Sequence, residues 1–423
     1  MRSCSIIKSP ARPGHVRLCA EVEYDTPGIK PELYWFEVHE RYSQALSTSG
    51  NPWLLCLAPA AITLGESLHL NRPVDGLLLK NAHELMKIWS FWFPRLKPMP
   101  IRAEVAAAGD SSNDSKTLAF FSGGVDAFFT ALYHGETQDP YDRIAIDDLV
   151  NVWGLDIPYA NSEGYQKIEK SLSRAAADLG KEFVSVATNL RETQLKNCEW
   201  EYQYHGPALA SVAYALEKRY RLALIASSGG YRATFPHASH PALMPLFSSS
   251  GTQIMQSGAT FSRVSKIERI SRSEAARQYL HVCFHLGNEQ NCGRCLKCFR
   301  TMLTLDLLGV LEKVKTFDST RYDRRMAKKM FLWGDDDRDY TIQIRELAIQ
   351  KDRQDIAKAM DQSIQRTRRI KRSLAALGRL KKFPGGKKLY NNIEHRILKS
   401  SIGGEERYYP AAKDSPFFQF NQI

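Results

Sequence analysis

Four of the chain's eight cysteines, Cys283, Cys292, Cys295 and Cys298, fall within sixteen residues in the spacing C-x8-C-x2-C-x2-C. Two intervening residues let neighbouring thiolates face one point across a tight turn, and Gly293 supplies turn freedom. A tetrahedral Zn²⁺ accepts four thiolates at about 2.3 Å, and a fully protein-ligated site is usually structural rather than catalytic. Thiolates also hold iron–sulfur clusters, and in an oxidising compartment the same cysteines would pair as disulfides. Residues 1–20 contain prolines and basic residues but no continuous apolar core, and no apolar run reaches membrane-spanning length. The expectation is a soluble cytoplasmic protein with reduced thiols, structural zinc and no membrane partner. A zinc deaminase is excluded, because Asn291 stands where its Pro-Cys-x-x-Cys pattern needs proline.

The second chemical feature is made of backbone. Residues 120–127 read FFSGGVDA, between the short apolar run Thr117-Leu118-Ala119-Phe120-Phe121 and a helix-like run from Ala127 to Tyr133. Ser122, Gly123 and Gly124 therefore form a strand-to-helix turn. Glycines there leave no Cβ between chain and ligand, and amides at a helix N-terminus converge with partial positive charge, which suits a phosphate. No Gly-Lys-Ser/Thr follows, so this is not the Walker type; the bland alternative is an ordinary Gly-Gly turn.

The elements that must position these groups alternate. Asp148–Gly154, Phe183–Ala187 and Leu222–Ala226 read as further strands, the last leading into Ser227-Ser228-Gly229-Gly230, with helical stretches at Ser162–Leu179 and Pro207–Lys218 between them. Strand and helix alternating at this spacing predict an α/β fold, a parallel sheet with helices on both faces. Ligands bind such sheets at the carboxyl ends of the strands, where Ser122, Trp153, Thr188 and Ser227 are expected.

The glycine motif resembles the Ser-Gly-Gly-x-Asp-Ser signature of the PP-loop ATP pyrophosphatases. Joined to a later C-x8-C-x2-C-x2-C knuckle, it is similar to the 7-cyano-7-deazaguanine synthase-like (QueC-like) branch, over roughly residues 115–310. Among QueC-like proteins the chain most resembles the larger members found in bacterial antiphage operons, the QatC type. The resemblance implies ATP over Ser122, Gly123, Gly124, Val125, Asp126 and Ala127, with Asp126 near the phosphates and Mg²⁺, and Trp153 and Ser227 also at the nucleotide. It implies a 7-deazaguanine-type carboxylate as substrate, adenylated and passed to an amine, here on a partner protein of the same operon. Ala127 replaces the family's final Ser, which removes one hydrogen bond worth about 0.5–1.5 kcal/mol. Lys266 stands where relatives place a lysine before the knuckle and could neutralise a phosphate; the bland reading is a solvated surface lysine. His205 opens a helix beside the expected substrate pocket and is a candidate to position a base or carboxylate. A stand-alone synthase, a tRNA-modifying PP-loop enzyme, and a non-catalytic nucleotide-sensing or scaffolding subunit are the competing readings.

With 423 residues the chain exceeds one typical domain. The polar stretch Gly109–Ser115 reads as a linker. It separates an N-terminal α+β accessory domain (1–112), with strands at Val16–Tyr24 and Leu33–Val38 and a helix at Val74–Phe93, from the PP-loop and knuckle domain (113–318). A basic, mainly helical extension (319–423) follows. Between Lys351 and Ser400 there are fifteen Lys/Arg against four Asp/Glu, a net of +11 against +12 for the whole chain, so the remainder is nearly neutral. Basic residues from Arg366 to Lys382 interleave with Ile364, Ile370, Leu374, Leu377 and Leu380 as one amphipathic helix ending at Pro384-Gly385-Gly386. It reads either as a solvated face or as a docking surface for an acidic protein or nucleic acid.

Overall fold

Among the described residues, apolar runs bounded by turns give ten strands: β1 (Arg2–Pro10), β2 (His15–Glu23), β3 (Glu32–His39), β4 (Leu68–Leu70), β5 (Ile101–Arg102), β6 (Lys116–Phe120), β7 (Asp148–Trp153), β8 (Glu182–Thr188), β9 (Tyr220–Ala226) and β10 (Gln253–Ser257). The computed structural model describes residues 1–10, 12–106, 115–231, 235–283 and 290–404. Eleven α-helices accompany the strands: α1 (Asn51–Leu64), α2 (Gly76–Trp92), α3 (Val125–Glu136), α4 (Ser162–Asp178), α5 (His205–Ala215), α6 (Arg263–Ile270), α7 (Glu274–Tyr279), α8 (Leu296–Leu307), α9 (Asp335–Gln350), α10 (Gln354–Leu377) and α11 (Gly386–Lys399).

All strands join one sheet in the order β10-β9-β6-β7-β8-β3-β2-β1-β4-β5. Neighbours from β10 to β8 run parallel, β8 to β1 antiparallel, and β1, β4 and β5 parallel again, so the fold is α/β with a mostly parallel central sheet flanked by helices. The parallel strands carry their apolar runs into the interior, with Leu118, Leu149, Val150, Val184, Ala223 and Leu224 almost wholly enclosed. Helix α1 is apolar all round and buried from Asn51 to Ile62, as a helix inside the core must be. Helix α4 buries one face, Gly164, Tyr165, Ile168, Leu172, Ala175 and Ala176, and Asn161 caps it by accepting from Gly164 N at 3.0 Å.

Packing divides the chain into two compact units, Met1–Ser122 with Asp126–Ala259, and Gly123–Val125 with Thr260–Ile423. These divisions differ from the boundaries expected at 112 and 318. The reason is visible at β8, which would end the parallel block as an open edge of unpaired amides and carbonyls. Instead Phe36, Glu37 and Val38 of β3 pair with Thr188, Ala187 and Val186, and the N-terminal strands continue the same sheet. Of the linker expected at 109–115, residues 109–114 lie outside the described residues. The second unit is helical. Helix α8 is buried nearly throughout, α9 packs along α10, and Tyr340 of α9 reaches Thr304 of α8 at 3.1 Å. The expected basic helix begins at Gln354, ten residues earlier than its charge pattern suggested, and its last residues, Gly378–Lys382, tighten to a 3-10 turn. Among the described residues, no helix is long and apolar enough to cross a membrane.

Candidate functional site

Strands β6, β7 and β8 build outward on one side of β6, and β9 and β10 on the other. The direction of building therefore reverses between β6 and β9, and in such sheets the loops part there and leave a crevice at the carboxyl ends. The two loops leaving these strands are the glycine turn at 121–124 and the Ser227–Gly230 segment. The sheet fixes the start of the glycine turn. Phe121 N donates to Val150 O at 2.8 Å, and Asn151 Nδ2 of β7 donates to Phe121 O at 2.8 Å. Gly123 then takes φ +76°, a left-handed conformation that a side chain would strain. Helix α3 starts at Val125, with Asp126 in its first turn. Ser122 is exposed and Asp126 half-buried, whereas Ala127 is 5% exposed. The arrangement offers amides and a helix N-terminus suited to an anion.

Residues Gly123–Val125 pack with the second unit, and within it His281 N donates to Gly123 O at 2.8 Å. His281 lies two residues before Cys283. Within the second unit, that hydrogen bond joins Gly123 to the segment that opens the cysteine cluster.

In that cluster the sulfurs of Cys283, Cys292, Cys295 and Cys298 all lie within 4.8 Å of one another. Cys292 Sγ and Cys298 Sγ are 3.8 Å apart; four thiolates at 2.3 Å from a tetrahedral ion would be spaced by about 3.8 Å. Gly293, at φ +68°, turns the chain so that Arg294 N and Cys295 N point at Cys292 Sγ, at 3.4 and 3.3 Å. Cys298 N does the same for Cys295 Sγ at 3.4 Å, at the start of α8. Cys292 is held well below the usual thiol range, chiefly by hydrogen bonds among the four sulfurs and further by the Cys295 amide. The donor set and its spacing fit a metal such as zinc.

Several expected ligands are committed elsewhere. Trp153 does end β7, but its ring is 3% exposed and lies 4.7 Å from Tyr165 at an interplanar angle of 6°, with Tyr159 at 4.4 Å and the Arg12 guanidinium over it at 4.9 Å. Its Nε1 donates to Pro158 O. A ring with its flat faces occupied has nothing left for a base. Ser227 is 2% exposed and its hydroxyl turns back to Gly229 O. Thr188 donates to Trp35 O at 2.7 Å. His205 meets Trp200 O through Nδ1 and Ser239 Oγ through Nε2 at 2.9 Å, and burial pushes it down to about 4. His237, its ring 4.7 Å from that of His205, is pushed down to about 3 by burial and by its histidine neighbours. Both imidazoles are neutral near pH 7, and His205 is a weak base. Lys266, on α6, is 1% exposed, so it is not a solvated surface lysine.

Asn151 was not anticipated. A polar residue among the apolar positions of β7 was the available signal, since a buried-strand position that is polar needs a partner. Strand β10 was also missed, because Gln253–Ser257 is short and half polar. Compared with known proteins, the chain matches no family model, no curated protein and no solved structure.

Proposed function

We propose that the protein is an ATP-dependent, AMP-forming enzyme of the PP-loop, QueC-like kind, which activates a 7-deazaguanine carboxylate and delivers it to an amine. The observation that carries this reading is the glycine turn, anchored by Asn151, after a central strand beside the reversal of the sheet. The amides of Gly123, Gly124 and Val125 would receive the phosphates, with Ser122 beside them. Mg²⁺ would neutralise phosphate charge, and the half-buried Asp126 is the residue that would hold it. A carboxylate oxygen of the substrate attacks the α-phosphorus and pyrophosphate leaves. The amine nitrogen then attacks the acyl carbon, AMP departs, and the amine's proton passes to solvent. The chain's part is positioning and charge neutralisation. By resemblance to the antiphage QatC type, the amine belongs to a partner protein encoded alongside.

Purified protein with ATP, Mg²⁺ and 7-carboxy-7-deazaguanine, with and without ammonium, tests the chemistry by mass spectrometry of nucleotides and products. Substrate-dependent AMP supports it; an unmodified co-expressed partner together with efficient release of free nitrile would remove the protein-conjugation part. A second reading, a nucleotide-sensing subunit without turnover, is favoured by Ala127 and by the internal commitments of Ser227 and His205. ATP binding with no AMP under any condition would select it.

A further inference from the structure

Between residues 362 and 399 the chain carries twelve Lys/Arg and a single carboxylate, Glu394. That carboxylate is 6% exposed and accepts from Tyr390 Oη, so it does not neutralise the surface. Among the described residues, none of the twelve cations stands in an ion pair. Elsewhere in the same unit several cations are matched, among them Arg345 with Asp361, Arg353 with Asp355 and Arg300 with Asp337. The contrast is within a single helix, since α10 begins with paired charges and ends with unpaired ones.

The apolar stripe of α10, Ile356, Met360 and Leu374, is buried in the unit together with Ser363 and Thr367. Arg368, Arg369, Arg372 and Arg379 face away and are exposed, and Lys387 and Lys388 continue the positive surface at the start of α11. From Arg368 to Arg379 the rise is about 16 Å, a length over which a B-form duplex presents roughly nine phosphates. We infer that this face of α10 and α11 binds the phosphate backbone of duplex DNA without reading its sequence.

The alternatives fit the surface less well. A protein interface concentrates aromatic and aliphatic anchors and is depleted in lysine at its centre. Among the described residues of this face, the exposed large apolar ones are Phe383, in the turn between the helices, and Leu389, in the first turn of α11. A lipid surface would need the apolar stripe of α10, which is spent on the unit's own core. Single strands are held by rows of exposed aromatic rings, and Tyr390 is buried. An α-helix matches the width of the B-form major groove, flanked on both sides by phosphates, whereas the A-form groove of duplex RNA is too narrow to admit it.

The test is fluorescence anisotropy of the full, zinc-replete chain on a fluorescein-labelled, 20-base-pair, mixed-sequence DNA duplex between 50 and 200 mM NaCl. Six phosphate contacts predict that log K falls against log salt with a slope of about −5. The triple variant R369Q/R372Q/R379Q, at exposed positions, should melt like the parent yet bring the slope to about −3. A randomised second sequence should bind equally. The inference is overturned by absence of duplex binding at 50 mM NaCl or by an unchanged slope in the triple variant. Tenfold tighter binding to duplex RNA or tRNA, or to phosphatidylserine vesicles, would also overturn it by naming a different occupant.

Discussion

The sulfur cluster of the second unit and the carboxyl edge of the sheet are built from different parts of the chain, side chains in the first and backbone in the second. At the cluster, four cysteines supply every donor, and the backbone serves them through amides aimed at Cys292 and Cys295. At the sheet edge the roles are exchanged. Trp153, Thr188, Ser227 and His205 have turned their functional groups into the protein, so what remains at that edge is the glycine turn and the first turn of α3 with Asp126. A side-chain site is written in residue type and spacing. A backbone site is written in strand order and in the residues that hold a carbonyl still.

This contrast can be broken or sharpened in four ways, beginning with the largest effect. Cys298→Ser should strip the metal and, because structural zinc sites carry apparent binding free energies on the order of 10 kcal/mol, loosen the second unit. Metal analysis and limited proteolysis read this out; full zinc with parental protease resistance would mean the cluster is not a metal site. Asp148→Asn probes the opposite end of the strands. Asp148 is 1% exposed and held by Arg219 Nε and Tyr220 Oη, both at 2.7 Å. Arg219 is half-buried and keeps its second partner Glu182 at 2.9 Å, so the loss of the charge-assisted bonds to Asp148 costs about 1.5–3 kcal/mol, visible in urea unfolding, while ATP affinity of the folded protein should not move. Asn151→Ala should act in the reverse sense. It releases the Phe121 carbonyl and should lower kcat/KM for AMP formation by roughly 5- to 150-fold, equivalent to about 1–3 kcal/mol, with little shift in melting. Trp153→Phe is the mildest, about 0.5–1.5 kcal/mol of stacking lost from stability. A KM for ATP raised more than a few-fold by that change would return Trp153 to the nucleotide.

Much of the fold was legible because its strands announce themselves. The runs at 117–121, 148–154, 183–187 and 222–226 are mainly apolar, and each appears within two residues of the expected bounds. The cluster was legible for the reason given above. What could not be read was pairing at a distance. The alternation in β2 and β3 marks a half-buried sheet, but nothing in it says that β3 will lie against β8. The cover over Trp153 depended on the same fact, since Arg12 approaches it only once the N-terminal strands have joined the sheet. The start of α10 was missed because charge was taken as its marker. The helix is set by the stripe from Ile356 to Leu374, which begins before the run of basic residues from Arg366 does.

The β3–β8 ladder also sets a clock on the nascent chain. Phe36 pairs with Thr188, about 150 residues later, and a ribosome adding roughly 5–20 residues per second needs on the order of ten seconds to deliver that partner. Throughout that wait the first antiparallel ribbon has an open side. The protein's earliest hazard is therefore a matter of synthesis rate, and slowing translation between residues 40 and 190 should lower its soluble yield more than slowing it anywhere later.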